Sequence, residues 1–146
     1  MFDERLDKPW WTLRLVYGLV PIVAGLDKFT NLLTDWKQYL SPIVERMLPF
    51  PPQAIMASVG VIEIAVGILM LTRATRAAAY VVAAWLVAIA LNLLTTGHYF
   101  DIAVRDLVMA VGAFTLAKLT EVRESTVRPG RRAAHRHGLE PSQAGT

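Results

Sequence analysis

The chain has 146 residues, of which 54% are hydrophobic and only 18% charged, with a mean hydropathy of +0.40. Soluble domains carry about 25% charged residues, so this balance disfavours a water-soluble fold. The net charge of +3 gathers toward the C-terminal end, and the complete absence of cysteine excludes disulfides, thiol redox chemistry and cysteine-ligated metals within this chain.

In chain order, the first nine residues mix acids and bases, and no small-residue cleavage site closes the apolar block that follows. That block therefore reads as a retained membrane helix and not as a cleaved leader. A spanning helix needs about 20 mostly apolar residues. Four stretches meet this, at 10–26, 53–71, 77–94 and 102–119. The fold class expected is all-α: an integral membrane four-helix bundle, with a transmembrane domain over 1–120. Trp10 and Trp11 stand where an interfacial aromatic anchor would stand.

Between the first two spans, residues 27–52 place Trp36, Tyr39, Leu40, Ile43, Val44, Met47 and Leu48 at near-helical spacing among charges. Two readings fit: an extra amphipathic helix on the membrane surface, or a cap folded over the helix ends. Pro49, Pro51 and Pro52 end any helix there before the second span. The linkers at 72–76 and 95–101 are short enough to force antiparallel hairpins.

After Glu121 the sequence turns polar and rich in Arg, Gly and Pro, which predicts a basic, disordered tail over 121–146. Arg123, Arg128, Arg131, Arg132 and Arg136 beside apolar blocks point to membrane topology or anionic lipid, not to nucleic acid. Lysine and arginine favour one side of the bundle, with Arg5, Lys8, Arg73, Arg76, Lys118 and Arg123, and both termini are expected to be cytoplasmic in the inner (plasma) membrane.

Charges inside apolar blocks cost at least about 2.5–3.5 kcal/mol each at the centre of a span, so they are expected inside the bundle and paired. Arg14, Glu63, Arg105 and Asp106 lie within predicted spans, and Asp27 and Lys28 close the first. Helical steps of three and four place Arg14, Gly18, Pro21, Gly25 and Lys28 on one stripe, and Met56, Gly60, Glu63, Gly67 and Met70 on another. Small residues let backbones approach in lipid, so these stripes are the expected packing faces. On the fourth helix Asp106, Ala110, Ala113 and Ala117 share a stripe, beside Arg105, Met109 and Gly112.

A polar cluster of Asp27, Lys28, Asn92, Arg105 and Asp106 is expected in the outer half, with Glu63 bridging from it toward Arg14. Two roles fit such a cluster: locking helix register, or serving a ligand or proton. Lys28 has a further option, snorkelling to the surface. His98 reads as a loop residue. No phosphate loop, nucleophile motif or metal-ligand set is present.

The order of these features resembles the DoxX-like family of small four-helix membrane proteins. The resemblance is carried by Leu13-Arg14-Leu15 with Gly18, by Gly25-Leu26-Asp27-Lys28-Phe29, and by Glu63 followed by Gly67. The basic turn at Arg73 and Arg76, the Ala-rich start of the third helix and Arg105-Asp106-Leu107 extend it over residues 10–120. Some members are associated with thiosulfate oxidation linked to quinone reduction, others with oxidative-stress assemblies. The resemblance implies a non-catalytic accessory subunit of a membrane redox assembly, respiratory or photosynthetic. It also implies other membrane subunits and lipid as partners, and a quinone or lipid in an intramembrane polar pocket. The alternatives are a quinone-linked oxidoreductase component, in which Glu63 and Asp106 relay protons, and a small transporter or lipid-binding protein.

Overall fold

The computed structural model describes residues 4–137, with side chains over 5–126. The described residues form five α-helices and one 3-10 turn: α1 (Glu4–Thr30), the turn Trp36–Tyr39, α2 (Pro42–Met47), α3 (Pro52–Leu71), α4 (Thr75–Thr95) and α5 (Phe100–His137). The protein is a helical membrane protein. Three helices are long and apolar enough to cross a bilayer, namely α1, α3 and α4. The apolar stretch of α5 carries Arg105, Asp106 and Lys118, which keeps it outside that composition, yet it packs along α4.

The bundle is two helix pairs. α1 lies antiparallel against α3, and α4 against α5, with thinner contact between the pairs. Glycine sets the first pair. A methyl group built on Gly25 would sit 2.6 Å from the backbone oxygen of Gly60, and one on Gly67 would sit 2.6 Å from that of Gly18. The two glycine stripes expected from helical spacing are thus the faces that meet, and they fix the register of α1 against α3.

Alanine sets the second pair. Ala79 and Ala90 of α4 and Ala103, Ala113 and Ala117 of α5 are wholly buried. Across the pairs, the Tyr17 hydroxyl on α1 donates to the Met109 carbonyl on α5 at 2.7 Å.

At the end where the N-terminus and the end of α5 adjoin, Trp10 is 5% exposed and its indole N–H donates to the Thr120 hydroxyl at 2.8 Å. Trp10 is therefore a core residue, and only Trp11 is placed as an interfacial anchor would be. Past Glu121 the chain does not loosen at once: α5 continues to His137. Tyr80 donates to Glu121 at 2.7 Å, Arg76 pairs with Glu124 at 3.0 Å, and Arg123 pairs with Asp7 at 3.2 Å. These contacts extend the helix across the compositional break. A disordered tail is expected from residue 121; helix is described there as far as His137, and residues 138–146 lie outside the described ones.

At the opposite end, the segment after α1 is a cap. Asn31 ends α1 with φ +52°, a conformation asparagine tolerates well. Leu40 of the cap packs on Ile55 and Met56 of α3, flanked by Trp36 and Val44. The extra element is thus short helical turns folded over the bundle's end, while Leu32, Leu33, Met47 and Phe50 stay exposed on its outer surface.

Candidate functional site

Because contact between the two helix pairs is thin, a cavity of about 600 Å³ remains between them, lined by all four long helices and the cap. Its wall is mainly aliphatic and aromatic, including Val20, Ile62, Val66, Leu86 and Ile89. Into it project Lys28, Glu63, Asn92, Arg105 and Asp106, together with Trp36 and Trp85.

The central polar contact is the Lys28–Glu63 ion pair. The Nζ–Oε2 distance is 2.6 Å, and the side chains are 5% and 11% exposed. Lys28 does not snorkel, for a structural reason. α3 continues eight residues beyond Gly60, beside which the Lys28 stem lies, so the end of α1 is below the end of its neighbour. The cap then closes over it: the Trp36 ring covers the Lys28 ammonium at 3.8 Å.

Asp27 holds that ring in place. Its carboxylate accepts from the Trp36 indole at 2.7 Å, from the backbone N–H groups of Leu32 and Leu33 at 2.9 and 3.1 Å, and from the Thr30 hydroxyl at 3.2 Å. Asp27 is thus a fixed support of the cap, and its oxygens are taken up by the turn. Asn92 does the same from α4. Its side chain donates to the Tyr39 carbonyl at 2.7 Å and accepts from the Ser41 N–H at 3.1 Å. Asp27 and Asn92 therefore tie the cap to opposite helix pairs across the cavity.

On α5, Asp106 is 7% exposed and lies within electrostatic reach of Glu63 and of Arg105, which is more open to solvent. Of the residues expected to cluster, Lys28, Asn92, Arg105 and Asp106 line the cavity together with Glu63, while Asp27 faces the cap turn.

Arg14 does not join them. The glycine register places Arg14 opposite the last turn of α3, roughly two turns from Glu63 along that helix. There its guanidinium donates to the carbonyls of Met70, Leu71 and Thr72 at 3.1, 2.6 and 2.7 Å, and lies over Trp11 at 4.8 Å. These carbonyls have no helical partners, so Arg14 is a C-terminal cap supplied by another helix. The expected bridge from Glu63 to Arg14 does not form.

Residue spacing alone did not single out Trp36 or Trp85 as cavity residues. Trp36 was visible only as an apolar position of the cap and Trp85 only as part of an apolar span. His98 is exposed in the α4–α5 turn, between Gly97 and Tyr99, both at positive φ. Among the described residues, no group of three His, Cys, Asp or Glu side chains could hold a metal ion.

The match to known families covers the helices that build most of this site. The DoxX family profile matches residues 10–96. The chain belongs to the DoxX family. No curated protein and no solved structure matches it. The DoxX match takes in α1, the cap, α3 and α4, and so includes Asp27, Lys28, Glu63 and Asn92. Arg105 and Asp106 lie beyond it, so α5 supplies its part of the cavity from outside the matched DoxX segment.

Proposed function

We propose that this DoxX-family protein is a non-catalytic subunit of a membrane redox assembly that holds a quinone-class lipid between its helix pairs. The single observation that carries this reading is the cavity. Its volume of about 600 Å³ suits a small amphiphile. Its wall suits an apolar chain and ring, and the Lys28, Glu63, Arg105 and Asp106 groups suit a polar head. The side chains present therefore fit such a lipid. The quinone would supply two-electron chemistry in the assembly. This chain's residues bind it, orient its head and exclude water.

The protein resides, on this reading, in the cell's inner (plasma) membrane with both termini cytoplasmic. Its redox partners are other membrane subunits, and the exposed apolar residues of the cap rest on the lipid surface. The experiment is purification in mild detergent with every co-eluting protein and lipid identified, followed by titration of a short-chain quinone. Trp36 and Trp85 line the cavity, so saturable quenching of tryptophan fluorescence is expected, with quinone among the extracted lipids and a redox subunit alongside. A chain that purifies alone, carries no quinone and shows only linear quenching overturns the reading.

A further inference from the structure

The polar part of the cavity contains a hydrogen-bond donor and an acceptor that the protein leaves unmatched. On α4, the buried indole Nε1 of Trp85 faces Glu63 too loosely for a hydrogen bond of ordinary geometry. Glu63 is already engaged by Lys28 at 2.6 Å. On α5, Asp106 is 7% exposed and what is open of it lines the cavity; its carboxylate accepts no hydrogen bond among the described residues, and its neighbours Arg105 and Glu63 act on it through space. Both residues line the same cavity. Buried polar groups are normally satisfied, so an unmatched pair of opposite kinds in one cavity describes what would complete them.

Charge narrows the class. Lys28 and Arg105 balance Glu63 and Asp106, so a charged head would carry an uncompensated charge into an apolar surrounding, whereas a neutral head would not. A carbonyl or ether oxygen can accept from Trp85 but has nothing to give Asp106. A hydroxyl does both.

We propose that the cavity prefers a neutral amphiphile with a hydroxyl-bearing head, which accepts from Trp85 Nε1 and donates to the Asp106 carboxylate. This rests on the quinone-class reading above and selects one form of the couple, the hydroquinone over the quinone. Trp85 and Asp106 come from α4 and α5, so the head sits against the second helix pair, facing the Lys28–Glu63 pair of the first.

The test is anaerobic native mass spectrometry of the protein in nanodiscs, with a decyl-substituted benzoquinone and its hydroquinone as probes, and dioleoylglycerol as a second neutral hydroxyl lipid. The wild-type protein is expected to bind the hydroquinone about tenfold more tightly than the quinone, the scale of one charge-assisted hydrogen bond. Asp106→Leu is expected to abolish the preference by weakening hydroquinone binding about tenfold more than quinone binding. Trp85→Phe, which keeps the ring's bulk, is expected to weaken both forms, because each offers an acceptor. Circular dichroism confirms that each variant is folded.

Equal binding of the two forms by the wild type, or a preference that persists in Asp106→Leu, overturns the hydroxyl inference and leaves the quinone-class reading standing. Binding of neither form overturns both. Displacement of the hydroquinone by equimolar dioleoylglycerol supports the hydroxyl chemistry and moves its source from the quinone pool to a glycerolipid.

Discussion

Lys28 and Glu63 show how an ion pair can be kept in an apolar bundle. Each group's charge is matched by the other at 2.6 Å, and Trp36 covers the ammonium face that would otherwise meet lipid or water. Removing one partner leaves the other uncompensated, which in buried pairs costs about 3–5 kcal/mol, whereas replacing both by apolar residues is close to neutral. Lys28→Met and Glu63→Leu are each expected to lower unfolding stability in detergent by an amount of that order, and the double variant to recover most of it. A double variant as unstable as the sum of the singles would show that each residue acts alone. Arg14 works differently, through carbonyls. Arg14→Ala removes the guanidinium from the Met70, Leu71 and Thr72 oxygens, leaving the Thr75 hydroxyl on the first and last, and is expected to cost about 1.5–3 kcal/mol, the scale of a hydrogen bond to a charged group, with little change in ligand binding because it lies away from the cavity. At the terminal end, the Tyr80 hydroxyl and then Lys118 hold the Glu121 carboxyl below the usual glutamate range. A lowered folded-state value stabilises the protein above the unfolded one and loses that contribution as pH falls through it. Thermal stability should therefore fall more on acidification in the wild type than in Glu121→Gln, as read by the unfolding midpoint in detergent at a series of pH values.

Elements meet here through what their sequences leave out. The glycines of α1 and α3 are spaced seven apart, two helical turns, on both helices, and each stripe's absence of side chains is what lets the other backbone in. Gly60→Ala would bring a methyl to 2.7 Å from the Gly25 carbonyl, a backbone atom that cannot move without separating the helices. The expected loss is about 1–3 kcal/mol by thermal unfolding, with the Lys28–Glu63 pair loosened as the register opens. Gly112→Ala is the milder control, because the group in its way is the end of the Tyr17 side chain. The helical spacing of glycines in the sequence exposed this packing face, and the alanine stripe of α5 was legible for the same reason. What spacing could not give was the register between helices. Arg14 and Glu63 share inward faces, yet the antiparallel offset sets them at different heights. Nor could it show that α1 ends below α3, which is what buries Lys28. The cap was open to two readings because its apolar residues suit a membrane surface and a protein surface equally. Its placement depends on Asp27 and Asn92, whose roles are contacts distant in sequence.

For the whole molecule, charge argues a direction in the membrane. The end bearing the N-terminus and the last turns of α5 carries Arg5, Lys8, Arg73, Arg76, Lys118 and Arg123, while at the cap end Lys28 is buried in its ion pair and Lys37 and Arg46 stand among Asp35, Glu45 and Asp101. Basic residues near spans are retained on the cytoplasmic side, so the cap should face outward. The chain has no cysteine, so single cysteines report position without background. His98 in the α4–α5 turn and Arg73 in the α3–α4 turn are both exposed, at opposite ends of the bundle, and Ser125 is exposed on α5. In intact cells, His98→Cys should react with a membrane-impermeant maleimide, while Arg73→Cys and Ser125→Cys should react only after the membrane is opened. The Ser125 arm bears on α5 itself, whose charges set it apart from the three more apolar helices. Protection of Ser125→Cys together with labelling of His98→Cys requires α5 to cross the bilayer alongside α4, with Arg105 and Asp106 carried inside facing the cavity. Labelling of both from outside would leave only three spans and would place those two charges beyond the hydrocarbon, removing the polar half of the proposed site.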